Sequence, residues 1–156
     1  MGCMKLFAVA LLSAAFALPA ADPAGFLLWK STELKGYQKS LAPKINDKKV
    51  ASEILATLGN FRFQIAHREG PGEGEVHEKR ADIFVVQTGE ASLVYGGEMV
   101  DARKSGEGEW LAPSIKGGMV KKLAAGDVVT IPAKMPHQLK LEKGKEFTYF
   151  VIKIDQ

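Results

Sequence analysis

The chain has 156 residues, of which 46% are hydrophobic and 25% are charged, and its formal net charge is +3. This length and composition predict one globular domain with its own hydrophobic core. The basic residues are scattered, with no run longer than the pairs Lys48-Lys49 and Lys121-Lys122. The basic patch of a nucleic-acid-binding protein is therefore missing, and we exclude nucleic acid as a partner.

The N-terminal segment has the pattern of a secretory signal peptide. Lys5 precedes the apolar stretch from Leu6 to Leu18, which falls short of the ~20 apolar residues that a membrane-spanning helix needs. The small-x-small triplet from Ala15 to Ala17 suits cleavage. We expect residues 1–21 to be a signal peptide and the mature protein to be secreted or periplasmic, with no membrane anchor. An uncleaved anchor is the alternative.

Cysteine usage limits the chemistry of the mature protein. Cys3 is the only cysteine and lies inside the predicted signal peptide. Thiol catalysis, disulfides and cysteine-ligated zinc are therefore excluded.

Residues 22–58 are predicted to form a polar, partly helical arm. The stretch STELKGYQKSL begins with Ser31, Thr32 and Glu33, which suit the cap and first turn of a short helix. Pro43 separates this stretch from INDKKVASEIL, where a second short helix is possible. Neither piece carries a recognisable catalytic motif.

Residues 59–156 are predicted to be all-β. Short alternating or apolar runs are separated by glycine-rich turns and indicate an antiparallel sandwich or barrel: NFRFQIAH, ADIFVVQTG, ASLVYGG, KLAAGDVVTIPA, HQLKLEKG and EFTYFVIKI. The segment KSGEGEWLAPSIKGG, residues 104–118, is predicted to be a loop, either a lid or a mobile hairpin end. Its Trp110 is then either a lid residue or an anchor on the barrel wall.

Two polar residues of the stretch GEVHEKRADIFVVQTGE share one face. Alternate residues of a strand point the same way, so Glu75 and His77 are available to one ligand. Asp82 stands at the end of an otherwise apolar row with Phe84 and Val86. A carboxylate buried in such a row needs a partner.

His67 is the weaker candidate among the three histidines of the chain. It shares a face with Phe61, Phe63 and Ile65, and if that face lines the barrel interior, His67 is an extra ligand or a general base. The alternative is a histidine at a strand end whose hydrogen bonds are satisfied. No catalytic residue beyond this candidate is predicted.

The stretch GDVVTIPAKMPHQL resembles the second conserved motif of the cupin superfamily. Gly126, Pro132 and His137 have the family spacing, while Lys134 replaces the usual glycine and Leu141 the usual asparagine. The prolines make the turn before His137 rigid, which suits a residue that holds a ligand.

The earlier stretch resembles the first cupin motif. His77, Asp82 and Gly89 have the family spacing, with Glu75 in place of the first histidine and Asp82 in place of the glutamate. The resemblance covers roughly residues 61–154 and implies a small single-domain cupin: one β-barrel of the double-stranded β-helix, or jelly-roll, type behind a short helical arm. It also implies a homodimer, with the arm either packed on a neighbouring barrel or covering an edge of its own sheet.

The resemblance implies a divalent metal ion held by four residues, Glu75, His77, Asp82 and His137. Their nitrogen and oxygen atoms suit Mn, Fe, Ni or Zn, and an octahedral ion keeps two positions open for water or a bidentate substrate. Asp82 either reaches the ion or orients one of its ligands. The formal charges of a divalent ion and these four ligands sum to about zero, which makes the ion a weak Lewis acid.

Two functions remain open from the sequence. The first is a metal-dependent enzyme of dioxygenase, isomerase or lyase type that acts on a small oxygenated organic molecule. The second is a non-catalytic cupin that binds a small, sugar-like ligand, or a degenerate barrel without metal. The lack of a Tyr-Lys or Ser-His arrangement near the motifs favours the second.

Overall fold

The computed structural model describes residues 22–156, so the predicted signal peptide lies outside the described residues. One helix, α1 (Ser31–Leu41), is followed by a 3₁₀ turn (Ala42–Lys44), and strands make up most of the rest. In chain order the strands are β1 (Val50–Leu58), β2 (Phe61–Arg68), β3 (Gly74–His77), β4 (Arg80–Tyr95), β5 (Glu98–Val100), β6 (Arg103–Gly106), β7 (Glu109–Ala112), β8 (Ser114–Lys116), β9 (Met119–Ala124), β10 (Val128–Ile131), β11 (His137–Lys140) and β12 (Phe147–Asp155). Within residues 22–156, no helix has the length and apolar character needed to cross a membrane.

The main sheet is antiparallel and curls into a half-barrel around the long strand β4. Its order is β1-β2-β12-β4-β11-β3-β7-β6, and β9 and β10 also pair with β4. Strand β4 can pair with so many neighbours because it bends at Gly89, whose φ is +79°. A side chain there would overlap the carbonyl of Glu146, so only glycine fits. The predicted all-β barrel is confirmed.

The curled sheet has a core on each of its two faces. Alternate residues of β12 divide between them: Phe147, Tyr149 and Val151 face the barrel interior, whereas Phe150 packs on the outer face with Leu34 and Leu41 from the arm. The arm thus covers its own sheet, with Trp29 tilted against Phe150 at a ring-centroid distance of 5.3 Å.

The arm is shorter than predicted. Residues 50–58, which the sequence assigned to it, form β1, an edge strand whose register with β2 runs from Val50 opposite Arg68 to Leu58 opposite Phe61. The apolar and β-branched residues of VASEILATL favour a strand once β2 offers a partner, so tertiary pairing overrides the helical reading of INDKKVASEIL.

The segment 104–118 also differs from its prediction as a loop. It carries most of β6 and all of β7 and β8, and β7 pairs with β3 along four residues, from Gly74 opposite Ala112 to His77 opposite Glu109. The indole of Trp110 donates a hydrogen bond to Glu78 Oε1 at 2.8 Å. Trp110 therefore anchors a hairpin on the barrel wall and is not part of a lid.

Candidate metal centre

Three candidate ligands lie together inside the barrel: Glu75, His77 and His137. Each offers one ligand atom, and these atoms lie within 4.8 Å of one another. Glu75 and His77 project from the same face of β3, as their spacing predicts, and His137 is the cross-strand neighbour of Glu75 at the start of β11. The two imidazole rings lie 5.3 Å apart between centroids. Two distant sequence motifs thus meet through one strand pairing.

Both histidines are oriented through Nδ1 and present Nε2 to the site. His137 Nδ1 donates to the carbonyl of Met135 at 3.0 Å, and His77 Nδ1 donates to the carboxylate of Glu109. Both Nε2 atoms are buried and have no hydrogen-bond partner within residues 22–156. Ligating histidines are typically held in this way, with one nitrogen hydrogen-bonded and the other left for the ion. The donor set therefore fits a metal ion.

Asp82 stands beside the two histidines but is also paired with Lys153. Its Oδ2 lies 3.4 Å from His77 Nε2 and 3.9 Å from His137 Nε2. Lys153 Nζ donates to the same Oδ2 at 2.7 Å, because Lys153 on β12 is the cross-strand partner of Asp82 on β4. Lys153 is thus the partner that a carboxylate buried in an apolar row needs.

The protonation preferences of the site follow from burial and charge. Burial alone would raise the pKa of Asp82, but His77 and Lys153 together lower the pKa of that carboxyl to about 2. Burial lowers the pKa of His137 below its ordinary value. Burial also acts to lower the pKa of His77, but Asp82 and Glu109 outweigh it and raise that pKa. His77 is thus the more readily protonated imidazole of the pair.

Glu109 is a site residue that the sequence did not identify. It lies in the segment predicted as a loop, and only the pairing of β7 with β3 brings it opposite His77. Arg80 holds its other oxygen, donating from Nη1 to Oε1 at 2.8 Å. No motif in the sequence points to Glu109, because a hydrogen bond across two short strands leaves no local pattern.

The structure does not bring His67 to this site. His67 shares a face with Phe63 and Ile65, as predicted, but that face packs against the arm and not toward the barrel interior. Its Nδ1 is hydrogen-bonded to Thr148 Oγ1 at 2.8 Å. His67 was expected to act as an extra ligand or base only if its face of β2 lined the barrel interior, and this face lies on the outside.

A cavity of about 190 Å³ opens beside the cluster. The inner face of β2 contributes Gln64 and Arg68 to its wall, and β12 contributes Tyr149 and Lys153. Glu75, Asp82 and His137 also line it. The donor atoms that could hold an ion therefore border the space where a ligand would bind.

Comparisons with solved structures agree on the fold. The chain resembles TT1209 from Thermus thermophilus, with 20% identity, a TM-score of 0.52 and coverage of 75% of this chain and 92% of that one. It also resembles a conserved protein with a double-stranded β-helix domain from Klebsiella pneumoniae, with 16% identity, a TM-score of 0.52 and coverage of 70% and 80%.

A third structure of the same shape is the polyketide cyclase RemF from Streptomyces resistomycificus, with 16% identity, a TM-score of 0.50 and coverage of 70% and 67%. No protein-family model matches the sequence, and no curated protein matches it.

The fold is a double-stranded β-helix, like that of the Klebsiella pneumoniae protein. At these identities the likeness concerns the fold alone, and the same barrel hosts many chemistries.

Proposed function

We propose that this cupin-type protein binds a divalent metal ion through Glu75, His77 and His137, and that Asp82 completes the set. The observation that carries the proposal is the pair of buried Nε2 atoms on His77 and His137, each on a ring oriented through Nδ1. Two such nitrogens facing carboxylates in a buried site match the way that proteins hold N/O-ligated ions.

The donor set suits Mn, Fe, Ni or Zn, since it contains nitrogen and oxygen and no sulfur. Lys153 changes the charge expected from sequence. Because Lys153 neutralises Asp82, a divalent ion beside Glu75 keeps one uncompensated positive charge instead of none. A bound ion would polarise an oxygen of the ligand as a Lewis acid.

The ligand is proposed to be a small oxygenated organic molecule in the adjacent cavity. The polar side chains of Gln64, Arg68 and Tyr149 in the cavity wall support this proposal. RemF, a cyclase of similar shape, shows that the fold can carry catalysis on a small molecule. A metal-dependent enzyme of dioxygenase, isomerase or lyase type is the first candidate.

Binding without turnover is the second candidate, and the ion pair of Lys153 favours it. Lys153 lines the cavity, and its ε-amino group donates to Asp82 at 2.7 Å, so it is not available as a free base. A sugar-like ligand held by hydrogen bonds would need no base.

Metal analysis of purified protein tests the site. After incubation with Mn²⁺, Fe²⁺, Ni²⁺ or Zn²⁺ and removal of free ion, we expect about one ion per chain in the wild type. The double variant His77→Ala/His137→Ala should lose it, and His67→Gln, which changes the histidine outside the site, should keep it. An ion-free wild type, or a double variant that still binds, contradicts the proposal.

The same preparations separate the two candidates. Metal-loaded wild type is offered a panel of diols, catechols, keto acids and sugars, and both binding and product formation are measured. Turnover that disappears in the double variant identifies an enzyme. Binding of a panel member with no turnover identifies a binding protein.

Export and dimerisation are further proposals. The basic, apolar and small-residue pattern of residues 1–21 supports a secreted or periplasmic location. The edge strand β1 supports a homodimer, because Ile54 and Leu58 are 58% and 45% exposed along an unpaired edge.

A further inference from the structure

The guanidinium of Arg68 is buried in the cavity wall with few partners. Arg68 is 8% exposed and ends the inner face of β2. Within residues 22–156 its guanidinium donates one side-chain hydrogen bond, from Nε to the hydroxyl of Tyr149 at 3.2 Å. The nearest carboxylate oxygen, Glu75 Oε1, lies 3.8 Å from Nη2, beyond hydrogen-bonding distance. Most of its five N–H donors are thus left for another acceptor.

The position of this guanidinium is fixed by the loop before β3. A Cβ atom on Gly72 would lie 3.0 Å from both Cζ and Nη1 of Arg68, so the glycine allows the loop to pack directly on the guanidinium plane. The loop is itself held, because Gly72 N donates to the carbonyl of Leu139 at 2.8 Å and Gln138 Nε2 donates to the carbonyl of Gly72 at 2.9 Å. Arg68 is therefore preorganised before any ligand binds.

Charge and distance define what fits. Asp82 and Lys153 neutralise each other, and Glu73 in the cavity wall is paired with Lys48 and Arg103. Arg68 and a divalent ion beside Glu75 therefore leave the cavity positive. Glu75 Oε1 lies 3.8 Å from Arg68, and Glu75 Oε2 lies 3.7 Å from His77 Nε2. The guanidinium and the candidate metal centre are thus separated by one carboxylate group. A ligand that reaches both must be short and anionic.

We propose that Arg68 binds the carboxylate of a small 2-oxo or 2-hydroxy acid whose second oxygen faces the candidate metal centre. The planar guanidinium matches a carboxylate with two parallel hydrogen bonds. Tyr149 orients the guanidinium through Nε, which leaves the Nη atoms for the ligand. This inference rests on the proposed function for the second oxygen, but the anion site itself belongs to Arg68.

Pyruvate and its uncharged counterpart hydroxyacetone test the inference. Dissociation constants are measured by calorimetry with Mn²⁺-loaded and ion-free protein. The variants are Arg68→Gln and, as the matched control, Arg62→Gln, which removes the same charge from the same face of β2 outside the cavity wall. Mn²⁺ binding is measured separately for each variant.

We expect wild type to bind pyruvate more tightly than hydroxyacetone. Arg68→Gln should weaken pyruvate roughly tenfold or more, while Mn²⁺ binding and hydroxyacetone binding persist, and Arg62→Gln should match wild type. Equal affinity for the two probes, or pyruvate binding unchanged in Arg68→Gln, overturns the inference.

Two further measurements test the inference if the wild type binds no Mn²⁺ or if Arg68→Gln does not fold. If the wild type binds no Mn²⁺, the proposed function fails, and the ion-free arm decides: pyruvate binding that depends on Arg68 supports the anion site, and its absence overturns it. If Arg68→Gln does not fold, Tyr149→Phe replaces it, because the charge is kept and the acceptor that orients Nε is removed. Pyruvate affinity should then fall, and an unchanged value overturns the inference.

Discussion

His67 resembles the site histidines His77 and His137 when each residue is considered alone. All three are buried, at 0%, 6% and 4% exposure, and all three have a hydrogen-bonded Nδ1 and an unpartnered Nε2 within residues 22–156. Their surroundings differ. The Nε2 atoms of His77 and His137 both face Asp82, whereas His67 Nε2 has one half-exposed carboxylate, Glu69, at 3.6 Å.

This comparison shows that burial and a fixed ring do not make a metal ligand. The distinguishing property is convergence: donor atoms from β3 and β11 meet in one place, with β4 supplying Asp82 beside them, whereas His67 stands alone against the arm. Three experiments test whether this distinction has the expected consequences.

The largest change in Mn²⁺ affinity is expected from removing the side chain that orients His77, compared with removing the one that orients His67. Glu109→Ala frees the ring of His77 and should weaken Mn²⁺ binding ten- to hundredfold, the usual cost of losing such a partner. Thr148→Val removes the corresponding partner of His67 and should leave Mn²⁺ affinity unchanged. Calorimetric titration measures both. Equal losses of Mn²⁺ affinity in the two variants would contradict the claim that His77 is a metal ligand and His67 is not.

A smaller effect of opposite sign is expected at Lys153. Lys153→Met leaves the Asp82 carboxylate uncompensated beside the histidines, so a dication should bind roughly tenfold more tightly. Glu69→Gln changes the carboxylate near His67 and should have no effect. The double variant Lys153→Met/Asp82→Asn should return affinity toward the wild-type value. Unchanged Mn²⁺ affinity in Lys153→Met would mean that Asp82 does not act on the ion.

The smallest effect is expected from pH. An ion must displace any proton from His77 Nε2, so affinity is highest above the pKa of His77 and falls as pH decreases through it. Despite burial, which lowers it, Asp82 and Glu109 raise that pKa above its ordinary value, so the fall should begin at a higher pH than for an ordinary histidine. Calorimetric titrations with Mn²⁺ across about pH 8 to pH 6 measure it. His67→Gln should show the same profile. A flat profile would argue against His77 as a ligand.

Much of the fold was predictable because it depends on local patterns. Alternation predicted that Phe84 and Val86 share a face with Asp82, which the structure shows to be the inner one. The motif glycine Gly89 occupies a bend that admits no side chain. Lys134, which replaces the family glycine, keeps the left-handed conformation with φ of +67°, so the turn survives the substitution. The spacing of Glu75 and His77 likewise predicted their shared direction.

The errors concern pairings between distant segments. Residues 50–58 form a strand because β2 is available as a partner. The segment 104–118 forms strands because β7 pairs with β6 and β3, and β8 pairs with β5. A short stretch of sequence contains only one of the two paired strands, so it does not show which distant strand is its partner. The role of His67 was left conditional for a related reason, since periodicity shows which residues share a face but not which face is inside.

The sequence alone determined the all-β barrel behind a short arm and the candidate donors Glu75, His77, Asp82 and His137. The β pattern and the shared face of Glu75 and His77 follow from period-two alternation, which is a property of neighbouring residues. The complete donor set is what the resemblance to the two cupin motifs implies. Only the tertiary structure decided that Lys153 neutralises Asp82, that Glu109 orients His77 and that Arg68 borders the same cavity. Each of these depends on side chains from separate strands, whose distances are set by the closure of the sheet.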